Sequence, residues 1–324
     1  MQGVMVRMGV CVFALCTWAG AGCENAADPV GPDDEEMEAV VFAPGTISDA
    51  RWQWRITFTP DGKTAYFSVS DGFFPYTRKA TIMVAHRQRD GKWSTPEVAP
   101  FSGTYTDIDP HVTPDGNRLY FSSIRPVDGQ AKDDLDLWMI ERTANGWSEP
   151  VHLGPEVNSD LDELYPSASA DGTLYFGVGP IAPTPEADWD IYRARRSGKG
   201  FAKREPLAEI NTDLPWDPNA PQADWEFNPE ISPDGNTLVF TSLRPGGYGL
   251  GDLYVSYFRN GNWSKPINLG PAVNTSDDEF HPTLTRDGRH LYFARAIFTP
   301  DLLPSDFYRI STRARDVKLP GGAE

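Results

Sequence analysis

The chain has 324 residues, with 29 Lys and Arg against 46 Asp and Glu, a formal net charge of −17 and an aromatic content of 12%. That length supports a buried core without covalent staples. The acidic surplus excludes a nucleic-acid-binding face, which needs Lys and Arg to displace phosphate counterions. Gly and Pro, 29 each, suit a fold with many turns.

Residues 1–22 carry one charge, Arg7, then an apolar run from Met8 to Trp18 and the small residues Ala19-Gly20-Ala21-Gly22 before Cys23. A basic start, a short apolar run and a small-residue site predict a secretory signal peptide. The run is shorter than the ~20 apolar residues of a membrane-spanning helix. Gly20-Ala21-Gly22-Cys23 resembles a bacterial lipobox, with Gly20 where Leu is usual. The resemblance implies cleavage before Cys23 and lipidation of its thiol; Ala19-Gly20-Ala21 as an ordinary A-x-A site is the alternative. Cys11, Cys16 and Cys23 are the only cysteines, so no disulfide framework is expected in the folded part. Residues 23–38, ENAADPVGPDDEEME after the cysteine, are acidic and poor in large apolar residues, which predicts a flexible tether.

The rest repeats. Asp-Gly between apolar runs occurs at ITFTPDGKTAYF, PHVTPDGNRLYF, PSASADGTLYF, PEISPDGNTLVF and PTLTRDGRHLYF, centred on Asp61, Asp115, Asp171, Asp234 and Asp287. The interval is about 55 residues, and a longer one before Asp234. Pro presets φ at the first turn position and Gly takes the positive φ, so each motif predicts a β-hairpin. A third strand starts at Asp136-Leu137-Trp138, Asp190-Ile191-Tyr192, Asp252-Leu253-Tyr254 and Asp306-Phe307-Tyr308. Those aspartates are expected to hold turns through backbone hydrogen bonds. A fourth element follows, Gly-x-Trp-Ser-x-Pro, at Gly91–Pro96, Gly146–Pro150 and Gly261–Pro266, with Gly200-Phe201 in the third repeat. Its Trp is expected in the core.

Four strands per repeat make one propeller blade. The fifth repeat stops after its third strand, and Val40-Val41-Phe42-Ala43-Pro44 parallels Ile267-Asn268-Leu269-Gly270-Pro271. The predicted fold is therefore all-β: a five-bladed β-propeller over residues 39–316, with the N-terminal strand closing the last blade and a tail at 317–324. The repeat xPxxSPDGxxLYFxSxRPxGxxDLY resembles the WD40-like PD40 repeats of TolB-type propellers over about residues 39–312. The resemblance implies a periplasmic or envelope propeller that binds or scaffolds. That family type carries an extra N-terminal α/β domain and six blades, neither of which is read here, so a role in a Tol–Pal system does not transfer.

Strict alternation along the innermost strands would turn Arg55, Asp107, Asp109, His111, Glu163, Glu226, Glu279 and His281 toward the central channel. The expected ligand site is that channel mouth. Arg125, Arg244 and the inserted loop of Trp216 share the strand-entry face. The two arginines either pair with the acids or meet a ligand. No cofactor is demanded. The one candidate is a divalent cation held by Asp107, Asp109, His111, Glu279 and His281, and the alternative is a hydrated polar channel. The expected function is a non-catalytic binding or scaffold module at the bacterial cell envelope, lipid-anchored at Cys23, with a protein or glycan partner. The alternative is a glycan-active enzyme using Glu163, Glu226 and Glu279, which needs two carboxylates about 5–9.5 Å apart.

Overall fold

The computed structural model describes residues 38–180, 188–217, 219–220, 222–297, 303–314 and 319. The signal-peptide, lipidation and tether readings lie outside these residues, except for Glu38. So does nearly all of the tail.

Five antiparallel sheets stand around one axis, with a separate two-stranded ribbon of Arg196–Ser197 and Gly200–Phe201 beside the third. Blade 1 runs from the innermost strand Trp52–Phe58 through Thr64–Ser70 and Thr81–His86 to Glu97–Val98. Blade 2 is Asp107–Val112, Arg118–Ser123, Asp136–Thr143 and Val151–His152. Blade 3 is Asp162–Ala168, Leu174–Gly179, Asp190–Ala194 and Glu205–Pro206. Blade 4 is Glu226–Ile231, Thr237–Ser242, Asp252–Arg259 and Ile267–Asn268. Blade 5 is Asp278–Leu284, His290–Ala296, Asp306–Ser311 and, from the other end of the chain, Val40–Val41. Each innermost strand packs on those of the blades before and after it, and the ring is closed.

The closure is the expected one. Val40 pairs with Arg309 and Val41 with Tyr308, and the Phe42 N–H donates to the Phe307 carbonyl at 2.7 Å. The Phe42 ring is buried. The last blade thus has no bare inner ladder to template another copy.

The Asp-Gly hairpins repeat almost atom for atom. In blade 1 the Thr59 hydroxyl donates to Asp61 Oδ1 at 2.6 Å, the same oxygen accepts the Lys63 N–H at 3.1 Å, and the Gly62 N–H returns to the Thr59 carbonyl at 2.8 Å. Thr113–Asp115, Ser169–Asp171, Ser232–Asp234 and Thr285–Asp287 repeat the hydroxyl bond at 2.5–2.7 Å. Against the opposing effect of partial burial, these bonds lower the pKa of all five aspartates.

Successive blades are stitched by a recurring side-chain hydrogen bond. The N–H groups of Val112, Ala168, Ile231 and Leu284 donate to Thr57 Oγ1, His111 Nε2, Ser167 Oγ and Glu230 Oε1 of the preceding blade, at 3.0–3.1 Å. Thr283 closes the set by donating to the Ile56 carbonyl at 2.7 Å.

Every innermost strand carries a β-bulge. In blades 2–5 it falls on a residue before proline with positive φ: Asp109 (57°), Tyr165 (62°), Asn228 (51°) and His281 (51°). The extra residue reverses the side-chain alternation. Asp107 pairs with Ser123, but His111 pairs with Tyr120, an odd number of residues away on the regular second strand. Asp107 and His111 therefore lie on opposite faces of their sheet.

Candidate functional site

The bulge dissolves the expected cation site. Of Asp107, Asp109, His111, Glu279 and His281, Asp109 and His281 meet, but the five do not converge, and among the described residues no three His, Cys, Asp or Glu side chains form a metal-binding group. They fall into three settings along the strands.

The first setting is the strand entry, where the carboxylates serve the seams between blades. Asp107 binds Arg125 at 2.6 Å, Glu163 binds Arg204 at 2.8 Å, Glu226 binds Arg244 at 3.0 Å and Glu279 binds Arg295 at 2.7 Å. Each guanidinium also donates to a backbone carbonyl of the connection arriving from the preceding blade: Phe101, Val157, Ile210 and Val273. It lies over an aromatic ring as well, as Arg244 does over Tyr254 at 4.9 Å and Arg295 over Tyr308 at 4.4 Å. Burial raises the pKa of all four carboxyls, Glu163 to about 7, against the pull of their arginines. Asp107, Glu163, Glu226 and Glu279 are buried seam clasps, and Arg125 and Arg244 take the structural one of their two expected roles. Arg204, which supplies the third clasp, comes from a different sequence position and carried no motif.

The second setting is the middle of the axis. Arg55 is fully buried and forms an ion pair with Glu230, and its Nη1 donates to the Pro229 carbonyl at 3.2 Å. Asp109 is buried with His281 Nδ1 3.6 Å from its Oδ1, and neither carboxyl oxygen has a well-formed hydrogen bond to a described residue. Burial pushes its pKa up to about 7, opposed by Arg55 and the Tyr165 backbone. Burial and the Arg55 charge hold both histidines neutral, His111 at about 3 and His281 well below its usual value. On the entry side this layer is plugged by rings: Tyr165 lies 5.3 Å from His281 and 5.9 Å from Phe227, and Trp54 lies 5.9 Å from Phe280. Arg55, Asp109 and His281 are therefore sealed in and do not line an open mouth.

The third setting is the opposite end of the channel, on the Asp-Gly face. A cleft of about 580 Å³ opens there and runs outward between blades 5 and 1. Its floor is His111, Glu230, Thr57 and Thr283, its apolar wall is Phe58, Trp93, Phe42 and Tyr292, and its rim carries Arg87, Arg286 and Arg289. His111 Nε2 accepts from the Ala168 N–H, which leaves Nδ1 3.7 Å from Glu230. The cleft has a local cause. In blades 2, 3 and 4 an aromatic of the outer hairpin reaches the second strand of the preceding blade: Trp147 to Tyr66 at 6.2 Å, Phe201 to Tyr120 at 6.5 Å and Trp263 to Tyr175 at 6.3 Å. In blade 1 the corresponding Trp93 meets Phe58 and Phe42 at 6.0 Å each, and it is half-buried.

Trp216 is 42% exposed, on the entry side and away from this cleft. The Thr212 N–H donates to Glu226 at 2.6 Å, as those of Ser159 and Thr275 do to Glu163 and Glu279, so the insertion loops out beyond an undisturbed clasp. Of the recurrent strand-start aspartates, Asp252 holds a turn through the Tyr248 and Gly249 N–H groups, while Asp136 instead meets Lys132 and His152. The sequence signals for the cleft are departures from the repeat. Phe58 stands where the other blades have Val112, Ala168, Ile231 and Leu284, and Arg286 stands where three blades have Pro60, Pro114 and Pro233.

No family model matches the chain, and no curated protein matches it in sequence. Solved structures similar to it include an RGII complex, whose protein is 12% identical over 89% of this sequence and 93% of its own, TM-score 0.55. The endo-arabinase of Bacteroides thetaiotaomicron is similar at 15% identity over 86% and 99%, TM-score 0.52. TolB from Acinetobacter baumannii aligns at 14% identity over 85% and 63%, TM-score 0.46. At such identities the likeness is one of fold.

Proposed function

We propose that the chain is an exported envelope lipoprotein of PD40-repeat, TolB-like type, anchored through Cys23, whose propeller is a non-catalytic binding module for a glycan or protein partner. The observation that carries the binding reading is how the carboxylates are engaged. Glycoside hydrolysis needs two carboxyls that meet the substrate. Here Glu163, Glu226 and Glu279 are spent on Arg204, Arg244 and Arg295. In the cleft, Glu230 is spent on Arg55, Ser167 and the Leu284 N–H, and Asp61 and Asp287 hold their turns. What remains is an aromatic-walled cleft within the ~300–1,000 Å³ of ordinary ligand pockets.

A glycan is the favoured partner, because a half-exposed Trp beside polar groups suits a sugar ring, which has one apolar face and a polar edge. The names of the RGII complex and the endo-arabinase point the same way for those proteins. The test incubates the purified protein with a panel of plant and bacterial oligosaccharides, following binding by calorimetry and cleavage by product chromatography. Binding without product is expected. Released products would overturn the non-catalytic reading, and a panel without binders would leave the protein partner in its place.

A further inference from the structure

The cleft on the Asp-Gly face differs in charge from the rest of the molecule. The whole sequence is at −17, and on the opposite face Asp188, Asp190 and Asp224 crowd together near the start of blade 4. The cleft instead collects Arg87, Arg286 and Arg289 on its rim. Asp61 and Asp287 stand against them, and Glu230 is offset by Arg55 beneath it, so the lining keeps a positive surplus. Arg286 makes no hydrogen bond or ion pair to a described residue, and Arg87 uses only Nε, on the Gly91 carbonyl at 3.3 Å. Arg289 reaches Asp287 only at 3.8 Å, with both side chains more than half exposed. A guanidinium fork left unpaired beside an apolar wall is a receptor for a planar oxyanion.

We infer that this cleft binds an acidic oligosaccharide, with a carboxylate on the Arg87–Arg286 rim and a sugar ring against Trp93 and Phe58. The inference rests on the glycan-binding reading above and adds the site and the ligand's charge. Three features of the cleft act together. The wall supplies Trp93 and Phe58, both half-buried, for the C–H face of a pyranose ring. The rim supplies the cations. The floor supplies hydroxyls at Thr57 and Thr283, already fixed by inter-blade hydrogen bonds and so pre-organised. A simple anion would use the rim alone, and a neutral sugar would leave the rim unanswered.

The experiment is calorimetry on the full-length protein in detergent. The probes are trigalacturonate, its carboxyl-reduced neutral counterpart, and sodium sulfate. The variants are Trp93→Ala, Trp216→Ala and Arg286→Pro, the last restoring the turn residue of three other blades and removing the charge. Trigalacturonate is expected to bind at least tenfold more tightly than its reduced form, and more weakly as salt rises. Arg286→Pro and Trp93→Ala should each lower affinity five- to tenfold with melting temperatures within a few degrees of the parent, and Trp216→Ala should change nothing. Equal affinity for the reduced sugar would overturn the acidic-ligand inference while leaving glycan binding standing. Sulfate competing as well as the sugar would overturn the role of the Trp93 wall. Binding lost in Trp216→Ala alone would move the site to the other face. No heat with either sugar would overturn the inference, and the wider panel separately decides whether the protein binds glycans at all. Cleavage of trigalacturonate with affinity still dependent on Arg286 would sink the non-catalytic reading and keep this site.

Discussion

The Phe58 ring sits 4.8 Å from the Tyr292 ring, centre to centre, and fills the seam between blades 1 and 5 from inside. In blade 2 the same strand position is Val112, and Trp147 reaches the tyrosine of the blade before it, donating from Nε1 to the Tyr66 hydroxyl at 3.0 Å. One larger side chain on an innermost strand thus changes where an outer tryptophan rests.

Phe58→Val should therefore do two things. It removes a ring from the Phe42–Trp93–Tyr292 cluster, at a cost of about 2–3 kcal/mol. It also lets Trp93 turn inward, which closes the cleft wall. Denaturant titration reads the first effect, and iodide quenching compared between Phe58→Val and the parent reads the second. Unchanged quenching would show that Phe58 does not set the position of Trp93.

The seam clasps predict a non-additive pair. Arg125→Met leaves the Asp107 carboxyl buried and uncompensated, so a loss of about 3 kcal/mol is expected. Arg125→Met with Asp107→Asn should be closer to the parent than Arg125→Met alone. Thermal melts of the four proteins measure it. A double variant worse than the sum of the singles would contradict a clasp that works by charge pairing.

Asp109 predicts a pH dependence with a definite sign. Its folded pKa of about 7 lies above the unfolded value near 3.8, so its contribution is fully present below about pH 4 and is lost as pH rises through 7. His111 and His281, with depressed folded values, act oppositely: their contribution is present above about 6.5 and is lost as pH falls. Asp109→Asn should stabilise the domain by on the order of 4 kcal/mol at pH 8 and by little near pH 4. Melting midpoints at the two pH values decide it, and equal shifts at both would sink the assignment.

The closing strand predicts a large local effect from a residue near the start of the chain. Phe42→Ala should cost about 3–4 kcal/mol, a fall of roughly 10 °C in a domain of this size. An unchanged midpoint would mean that the ring does not depend on the N-terminal strand.

For the anchor, Cys23→Ser should abolish palmitate labelling and move the protein from the membrane fraction to the soluble fraction. A parent protein that is already unlabelled and soluble would favour cleavage at Ala19-Gly20-Ala21.

The blades, their hairpins and the closing strand were legible in the sequence because each depends on local chemistry that repeats: a hydroxyl two residues before Asp61 or Asp115, a Gly after it, an aromatic strand beyond. The site was less legible, for a geometric reason. Alternation treats a strand as regular, and the bulges at Asp109 and His281 insert one residue that reverses every later side chain on the strand. Arg204 was invisible because its clasp is made in space from a position that the other blades do not use. Phe58 and Arg286 were visible as departures from the repeat, but only the structure joins them across the seam of blades 5 and 1.

The pairing of Val40 with Arg309 also has a consequence in time. Four blades are each built from one run of chain and can form as that run becomes available. The fifth needs the first strand of the domain and its last, so its final ladder must wait for the whole domain and bear the largest loop-closure entropy. Blades 1 to 4 can therefore form before the ring closes. Until that step the third strand of blade 5, Asp306–Ser311, has an open edge, and this is the interval in which the molecule is most exposed to pairing with another copy of itself.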